Sequence, residues 1–234
     1  CFYKHHTSIR MQRENQEKEK YNKIYHKDCS YMDELDDCSI DLIVSGPPYW
    51  DYFNYDAHSN GIDYMWVDVK PYESFLRDLE AWYTECFRVL RNGRYCIVNI
   101  GTVSRAGKNY PLPFHIVPIL EKVGFEFCYD IIWNKISGGR SHARNTIQNP
   151  YPGYFVPNNK TEYLLVFKKG NDIFCKDKFK LFQEANKINI DDYFKKEISN
   201  NVWHFTSTHV KNKGDHPCPF PPELPYRLIQ LFSL

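Results

Sequence analysis

No Gly-x-Gly occurs among the 11 glycines of this chain. That spacing lets a backbone approach a bound nucleotide closely, so its absence excludes a glycine-rich nucleotide turn from these 234 residues. Cysteine is present, but no two form Cys-x-x-Cys among Cys1, Cys29, Cys38, Cys86, Cys96, Cys128, Cys175 and Cys218. That speaks against a metal site or a disulfide framework and for reduced thiols in a cytoplasmic protein. No run of about 18 apolar residues is present, and no signal peptide is visible, so no membrane partner is expected. Charge of one sign is missing too: 30 Lys and Arg against 29 Asp and Glu leave a net charge of +1. A protein that is basic throughout is excluded, and contacts with nucleic acid must come from local clusters. The first residue is Cys1, not Met, so the chain is expected either to begin inside a longer gene product or to omit disordered residues.

What the sequence does contain is apolar and aromatic. At 42% hydrophobic, with 18 Tyr, 16 Phe and 5 Trp, it can bury a core, and its size suits one large domain or a domain with an insertion. Residues 1–20 read as a polar, solvated tail, with a DNA-binding arm through Lys4, His5, His6, Arg10 and Arg13 as the alternative. Tyr21–Tyr25 reads as a short strand and Tyr31–Leu35 as helical. In Pro71–Leu90, Phe75, Leu79, Trp82, Tyr83, Cys86, Phe87 and Leu90 recur at spacings that predict a helix with one buried face, capped by Gly93. Strand Arg94–Ile100, helix Leu112–Val123 ended by Gly124, and strand Phe125–Trp133 follow. This alternation predicts an α/β protein with a parallel sheet. Ile136–Lys160 is irregular, Thr161–Lys168 returns as a strand, and Asn171–Asn200 is a charged insertion.

Asp41-Leu-Ile-Val-Ser-Gly-Pro-Pro-Tyr-Trp50 organises the rest. Asp41–Val44 reads as a buried strand, and Gly46, Pro47 and Pro48 stop it because proline cannot extend a ladder. The product is a rigid loop at the carboxyl end of a strand, where open α/β sheets bind ligands. It presents two aromatic faces, Tyr49 and Trp50, beside backbone carbonyls of fixed direction. That suits one chemistry. The amino group of a nucleobase is a poor nucleophile because its lone pair is delocalised into the ring. Acceptors for its N–H groups localise the pair, and an aromatic face holds the base once it leaves the stack.

Pro47-Pro48-Tyr49-Trp50 resembles motif IV of amino-group DNA methyltransferases. The departure is Gly46, where the family usually carries Ser, Asp or Asn, with Ser45 one place earlier. The segment around Val89–Gly101 resembles motifs V–VI, and Trp133-Asn-Lys135 resembles motif VIII. Tyr110–His115 and Asn159–Gly170 are also family-like. Asp215-His-Pro-Cys-Pro-Phe-Pro-Pro-Glu-Leu-Pro225, followed by a helix at Tyr226–Phe232, resembles motif X of the permuted β-class, and is the most specific of these matches. In β-class order the glycine-rich cofactor motif comes directly after motif X. The resemblance therefore implies a fold incomplete at its C-terminus, with that motif supplied by a further portion or a second polypeptide, and weak binding of the cofactor without it.

The resemblance implies a Rossmann-like S-adenosylmethionine-dependent methyltransferase sheet. Its catalytic α/β domain would be 21–135, a target-recognition-like insertion 136–200 with the returning strand 161–168, and the motif X segment 201–234. It implies a cytoplasmic, nucleoid-associated enzyme of a bacterial or phage-like restriction-modification system, acting on double-stranded DNA, with a homodimer left open. Cytosine N4 is favoured over adenine N6, because a small Gly46 with Trp50 lies nearer the family's serine type. The catalytic set would be Ser45, Gly46, Pro47, Pro48, Tyr49 and Trp50: the Pro47 carbonyl and Ser45 as acceptors, Tyr49 stacking on the base, Trp50 shaping the pocket. Asp28, Cys29, His216, Pro217, Phe220 and Pro221 would face S-adenosyl-L-methionine, Asp28 at the adenine end. Read from the residues alone, Asp28 serves equally as an N-cap for the next helix. Lys135, Arg140, His142, Arg144 and Lys160, interleaved with Tyr151 and Tyr154, suit a DNA surface, the alternative being a solvated loop. Two other functions stay open: a non-catalytic DNA-recognition subunit derived from such an enzyme, and methylation of RNA or protein.

Overall fold

The computed structural model describes residues 23–25, 27–50, 71–105, 108–136, 151–153, 157–171, 187–188, 190–195, 197–207 and 220–233. Arg140, His142, Arg144, Tyr154, His216 and Pro217, and the proposed arm in residues 1–20, lie outside them. The first strand, β1 (Ile40–Ser45), is followed by helix α1 (Tyr72–Val89) and strand β2 (Leu90–Ile100). Two short strands, β3 (Val103–Arg105) and β4 (Lys108–Tyr110), pair with each other and precede helix α2 (Leu112–Val123). Then come β5 (Glu126–Lys135), β6 (Thr161–Lys168), a short helix α3 (Ile190–Lys195), β7 (Val202–Phe205) and helix α4 (Glu223–Phe232).

The main sheet has five strands in the order β1-β2-β6-β5-β7. Strands β1 and β2 run parallel, as do β5 and β7, but β6 is antiparallel to both β2 and β5. The sheet is therefore mixed, not parallel as the alternation predicts. Strands β5 and β6, consecutive among the described strands, are neighbours in the sheet and pair antiparallel, a setting that the alternation of strands and helices does not reveal. Strand β6 lies at the centre of the sheet, so 161–168 is part of the main sheet and separates residues 136–160 from 171–200 in sequence.

The two central strands show why one sequence supports both faces. Cys96, Val98 and Ile100 of β2 and Leu165 and Phe167 of β6 join Phe75, Leu79 and Tyr83 of α1 and Leu112, Ile116 and Leu120 of α2. The intervening Ile97, Leu164 and Val166 join Trp133, Trp203 and Phe205 and, from α4, Leu224, Leu228 and Phe232. Period-two alternation on strands with both faces covered sends alternate residues to opposite cores.

Three local expectations change. Tyr31–Leu35 forms turns, not a helix. Its backbone is held by α1 instead: Arg88 donates to the carbonyls of Met32 (2.8 Å) and Leu35 (3.0 Å), while Glu85 accepts from the Met32 amide (3.0 Å). Residues 23–25, the described end of the expected strand at Tyr21–Tyr25, carry no strand. Gly93 does not cap α1, which ends at Val89 and passes straight into β2. Gly93 sits at φ +75° where the β1–β2 register jumps between Ile40↔Leu90 and Leu42↔Tyr95, so its left-handed conformation serves an irregularity in the strand. Gly124 does end α2 in the left-handed conformation, at φ +118°. No helix among the described residues is long and apolar enough to cross a membrane.

Candidate active site

The proline loop leaves the carboxyl end of β1 beside the carboxyl end of β2, with Ser45 opposite Val98 in the ladder. Pro47 is buried, and Tyr49 packs against the α1/α2 core. A Cβ built on Gly101, just past β2, would lie 3.3 Å from the Tyr49 hydroxyl and 3.4 Å from Cγ of Glu162. Tyr49, Gly101 and Glu162 thus meet at one end of the sheet. A Cβ on Gly46 would lie 3.5 Å from the ring of Phe220, which is 37% exposed. The proline loop and the segment entering α4, far apart in sequence, therefore meet.

Trp50 departs from expectation. It is only 7% exposed, with its ring centroid 5.1 Å from Tyr72 and 4.6 Å from Tyr110, both edge to face. Tyr72 in turn shares a 2.9 Å hydrogen bond with Nδ1 of His115. Trp50 therefore anchors the loop in an aromatic cluster drawn from α1, β4 and α2, and Tyr49 is left as the aromatic side chain beside Gly101. Burial pushes the Tyr72 phenol up to about 12. The cluster was not legible in the sequence because its members, though all in aromatic-rich stretches, come from elements that only the fold brings together.

Ser45 also turns away from its expected role. Its hydroxyl accepts a 3.1 Å hydrogen bond from Tyr83 of α1, and its ladder partner Val98 lies in the α1/α2 core. Glu162 is on the other face: its ladder partner is Trp133, which packs with Leu164 and Val166 on the α4 side.

On the expected cofactor side, Asp28 closes a local turn, its Oδ1 accepting from the Ser30 amide and hydroxyl, both at 2.8 Å. It is no helix N-cap, since turns follow it. Partial burial of its sulfur, with the nearby Asp28 charge, raises the Cys29 thiol. Phe220 lies beside the loop, and Pro221 is buried at the start of α4, its carbonyl accepting from Leu224 (3.0 Å). Within this set the described residue that fits a flat adenosine group is Phe220, a partly exposed ring next to the loop.

Of the expected DNA-binding residues, Lys135 is committed elsewhere. Its ammonium pairs with the Glu162 carboxylate and lies 5.1 Å from the Trp133 ring centroid. Both members of the pair are largely buried, at 17% and 12% side-chain exposure. A basic residue next to an irregular stretch reads as a phosphate ligand, whereas here Glu162, the ladder partner of Trp133 two residues earlier, supplies a counter-charge. Lys160 is half-buried, and its carbonyl accepts from the Lys135 amide (2.8 Å). Glu162 was missed although it stands near the start of a strand whose apolar run invites attention.

Known proteins resemble this chain in sequence and in fold. A DNA methylase family model of the N6/N4 type matches residues 40–234. Type II methyltransferase M.MthZI of Methanothermobacter thermautotrophicus is 28% identical over 91% of this chain, which spans 64% of that protein's length. Type II methyltransferase M.MjaI of Methanocaldococcus jannaschii is 27% identical over 91% of this chain and 77% of its own. Among solved structures, a Thermus thermophilus protein assigned as a DNA modification methylase, complexed with S-adenosyl-L-methionine, superposes with TM-score 0.58 at 26% identity, covering 86% of this chain and 71% of that one. The cytosine-N4-specific PvuII DNA methyltransferase shares the fold, with TM-score 0.58 at 15% identity over 88% of this chain and 68% of that one. The sheet is thus that of the methyltransferase structures, and the chain belongs to the DNA methylase family, of which the Type II methyltransferases are its curated relatives.

Proposed function

We propose that this protein uses S-adenosyl-L-methionine to methylate the exocyclic amino group of a base in double-stranded DNA, with cytosine N4 preferred to adenine N6. The observation that carries the reading is the meeting of the proline loop, Tyr49 and Phe220 at one end of the sheet. S-adenosyl-L-methionine, when bound, supplies an electrophilic methyl group. The chain's own residues supply position. The Pro47 carbonyl accepts one amino proton, and Tyr49 stacks on the base after it is flipped from the duplex. Phe220 offers its ring to the cofactor, and Asp28, Cys29, His216, Pro217 and Pro221 are assigned to the same cofactor by the family resemblance. Arg140, His142, Arg144 and Lys160 belong to the DNA surface, and Lys135 acts through Glu162. Residues 21–135 with 161–168 and 201–234 form the catalytic domain, and 136–160 and 171–200 carry target recognition. A restriction-modification setting in the cytoplasm follows from this activity. The preference for cytosine rests on the small residue at position 46, now that Trp50 is placed in the core.

The test is transfer of labelled methyl from S-adenosyl-L-methionine to unmodified plasmid DNA by the full-length protein, with the labelled nucleoside identified after digestion. Label in N4-methylcytosine is the expected result; label in N6-methyladenine would retain the reaction and overturn the preference. Tyr49→Ala should lower turnover about 10- to 100-fold with the fold intact, stacking on a flipped base being worth about 1–3 kcal/mol by alanine substitution. A second reading is favoured by Gly46 and by the orientation of Ser45: a DNA-recognition subunit without catalysis. It predicts salt-dependent DNA binding with no label.

A further inference from the structure

An exocyclic amino group carries two N–H donors, and a base enclosed by protein needs an acceptor for each. Under the function proposed above, on which this step rests, the Pro47 carbonyl serves one. Among the loop's side chains Tyr49 carries an acceptor, its hydroxyl, but a ring stacked on the base presents its face and cannot also accept in the base plane. Gly46 has no side chain, and the Ser45 hydroxyl faces α1, where Tyr83 donates to it. Trp50 is closed into the core and has no acceptor. Among the described residues the ionised side-chain acceptor at this end of the sheet is Glu162. Its Cγ and the Tyr49 hydroxyl flank the same point above Gly101, at 3.4 and 3.3 Å from it. It belongs to the α4 side of the sheet, as Phe220 does through the segment leading into α4.

The geometry points to Glu162 as the second amino-proton acceptor of the base pocket, held in place by Lys135 as a positioning residue. A largely buried carboxylate is costly unless it is paired and hydrogen-bonded, and Lys135 meets that requirement while leaving lone pairs on the carboxylate for a substrate. An ionised carboxylate only accepts. It therefore welcomes the amino group of cytosine or adenine and rejects the carbonyl oxygen that thymine, uracil or hypoxanthine presents at the same ring position. The pair also accounts for a basic residue turned from DNA phosphate toward the interior of the sheet.

The experiment uses the full-length protein and three variants: Glu162→Gln, Lys135→Met, and the apolar swap Lys135→Met/Glu162→Leu. Two readouts are taken. The first is methyl transfer to plasmid DNA under single-turnover conditions. The second is affinity, in the absence of transfer, for two duplexes that differ only at the mapped target position. One carries the amino base and the other its carbonyl counterpart, each opposite an abasic site so that neither is paired. The wild type is expected to bind the amino duplex about tenfold more tightly, as sites built around a hydrogen-bonding group do. In Glu162→Gln, whose amide can both accept and donate, this preference should fall to about threefold or less, with transfer down at least about 30-fold. Lys135→Met should lose part of both. The apolar swap should keep the melting temperature, because replacing a buried pair by packed side chains is often neutral, yet lose transfer and preference. Retention of transfer and preference by the swap or by Glu162→Gln would overturn the assignment while leaving the proposed function standing. A wild type that transfers no methyl would overturn both.

Discussion

At the scale of single residues, the two glycines of the site differ in what they tolerate. Gly46 is not in the left-handed region, and the nearest atom to an added Cβ is the Phe220 ring at 3.5 Å, an ordinary contact. Gly46→Ser should therefore fold with a stability change within about 0.5 kcal/mol. The new hydroxyl would stand beside the Pro47 carbonyl as a further acceptor, so turnover should equal or exceed wild type. A tenfold fall in methyl transfer with an unchanged melting temperature would show that the loop needs the open space. Gly101 is tighter. A Cβ there would press on the Tyr49 hydroxyl at 3.3 Å and on Glu162 at 3.4 Å. Both are side-chain atoms and can shift, so Gly101→Ala should cost little stability. It moves the Tyr49 ring and the Glu162 side chain together, and under the proposed function single-turnover transfer should fall several-fold. Unchanged transfer would separate Tyr49 from the reacting base.

At the scale of elements, the least expected device is the closure of α1. The sequence suggests a glycine cap, yet the helix is capped by Lys169, from beyond the end of β6. Its ammonium donates to the carbonyls of Phe87 and Leu90, the latter at 2.7 Å, and lies 4.6 Å from the Phe87 ring centroid. The last carbonyls of a helix lack intrahelical partners, and a cation among them also meets the negative end of the helix dipole. The residue is only 7% exposed. Lys169→Met should destabilise the protein by about 2 kcal/mol, since hydrogen bonds from a charged group are worth about 1.5–3 kcal/mol and their loss orphans the carbonyls. A urea midpoint within error of wild type would remove Lys169 from this role. The contrast explains what could be read in advance. Helix α1 and strand β6 follow from the patterning of their own residues, and helix α2 from periodicity with the adjacent stop signal of Gly124. The lysine cap, the Arg88 clasp on residues 32–37 and the Lys135–Glu162 pair are contacts across sequence, with no local pattern to announce them. The antiparallel setting of β6 belongs with them, since a strand's direction in its sheet is not written in its own residues.

At the scale of the whole molecule, the candidate site was legible as a loop but not as a pocket. Pro47 to Trp50 identify the turn, and the family resemblance already names Phe220, but the meeting of Phe220 with that turn and the place of Glu162 beside Tyr49 are seen only once β1, β2 and β6 lie side by side. The core that aligns these strands has a property of its own: it encloses titratable groups that ionise on the alkaline side. Burial raises the Cys86 thiol from 9.0 to about 12 and pushes the Cys96 thiol well above its ordinary value. Burial likewise raises the Tyr72 phenol from 10.0 to about 12, and Tyr83, donating to Ser45, stands well above 10.0. Each group binds its proton more tightly folded than unfolded. The stability they contribute is therefore complete below pH 9 and is lost as pH rises through the folded values, because the unfolded chain ionises first. The melting temperature should hold level from pH 7 to 8.5, then fall with increasing slope between pH 9 and 11, the thiols acting first and the phenols above pH 10. Cys86→Ala should flatten the early part of that fall and Tyr72→Phe the later part, whatever each does to stability at pH 7. Calorimetric scans of the three proteins at half-unit intervals measure the slopes directly. If both variants lose melting temperature with pH as steeply as wild type, the alkaline sensitivity arises outside this core.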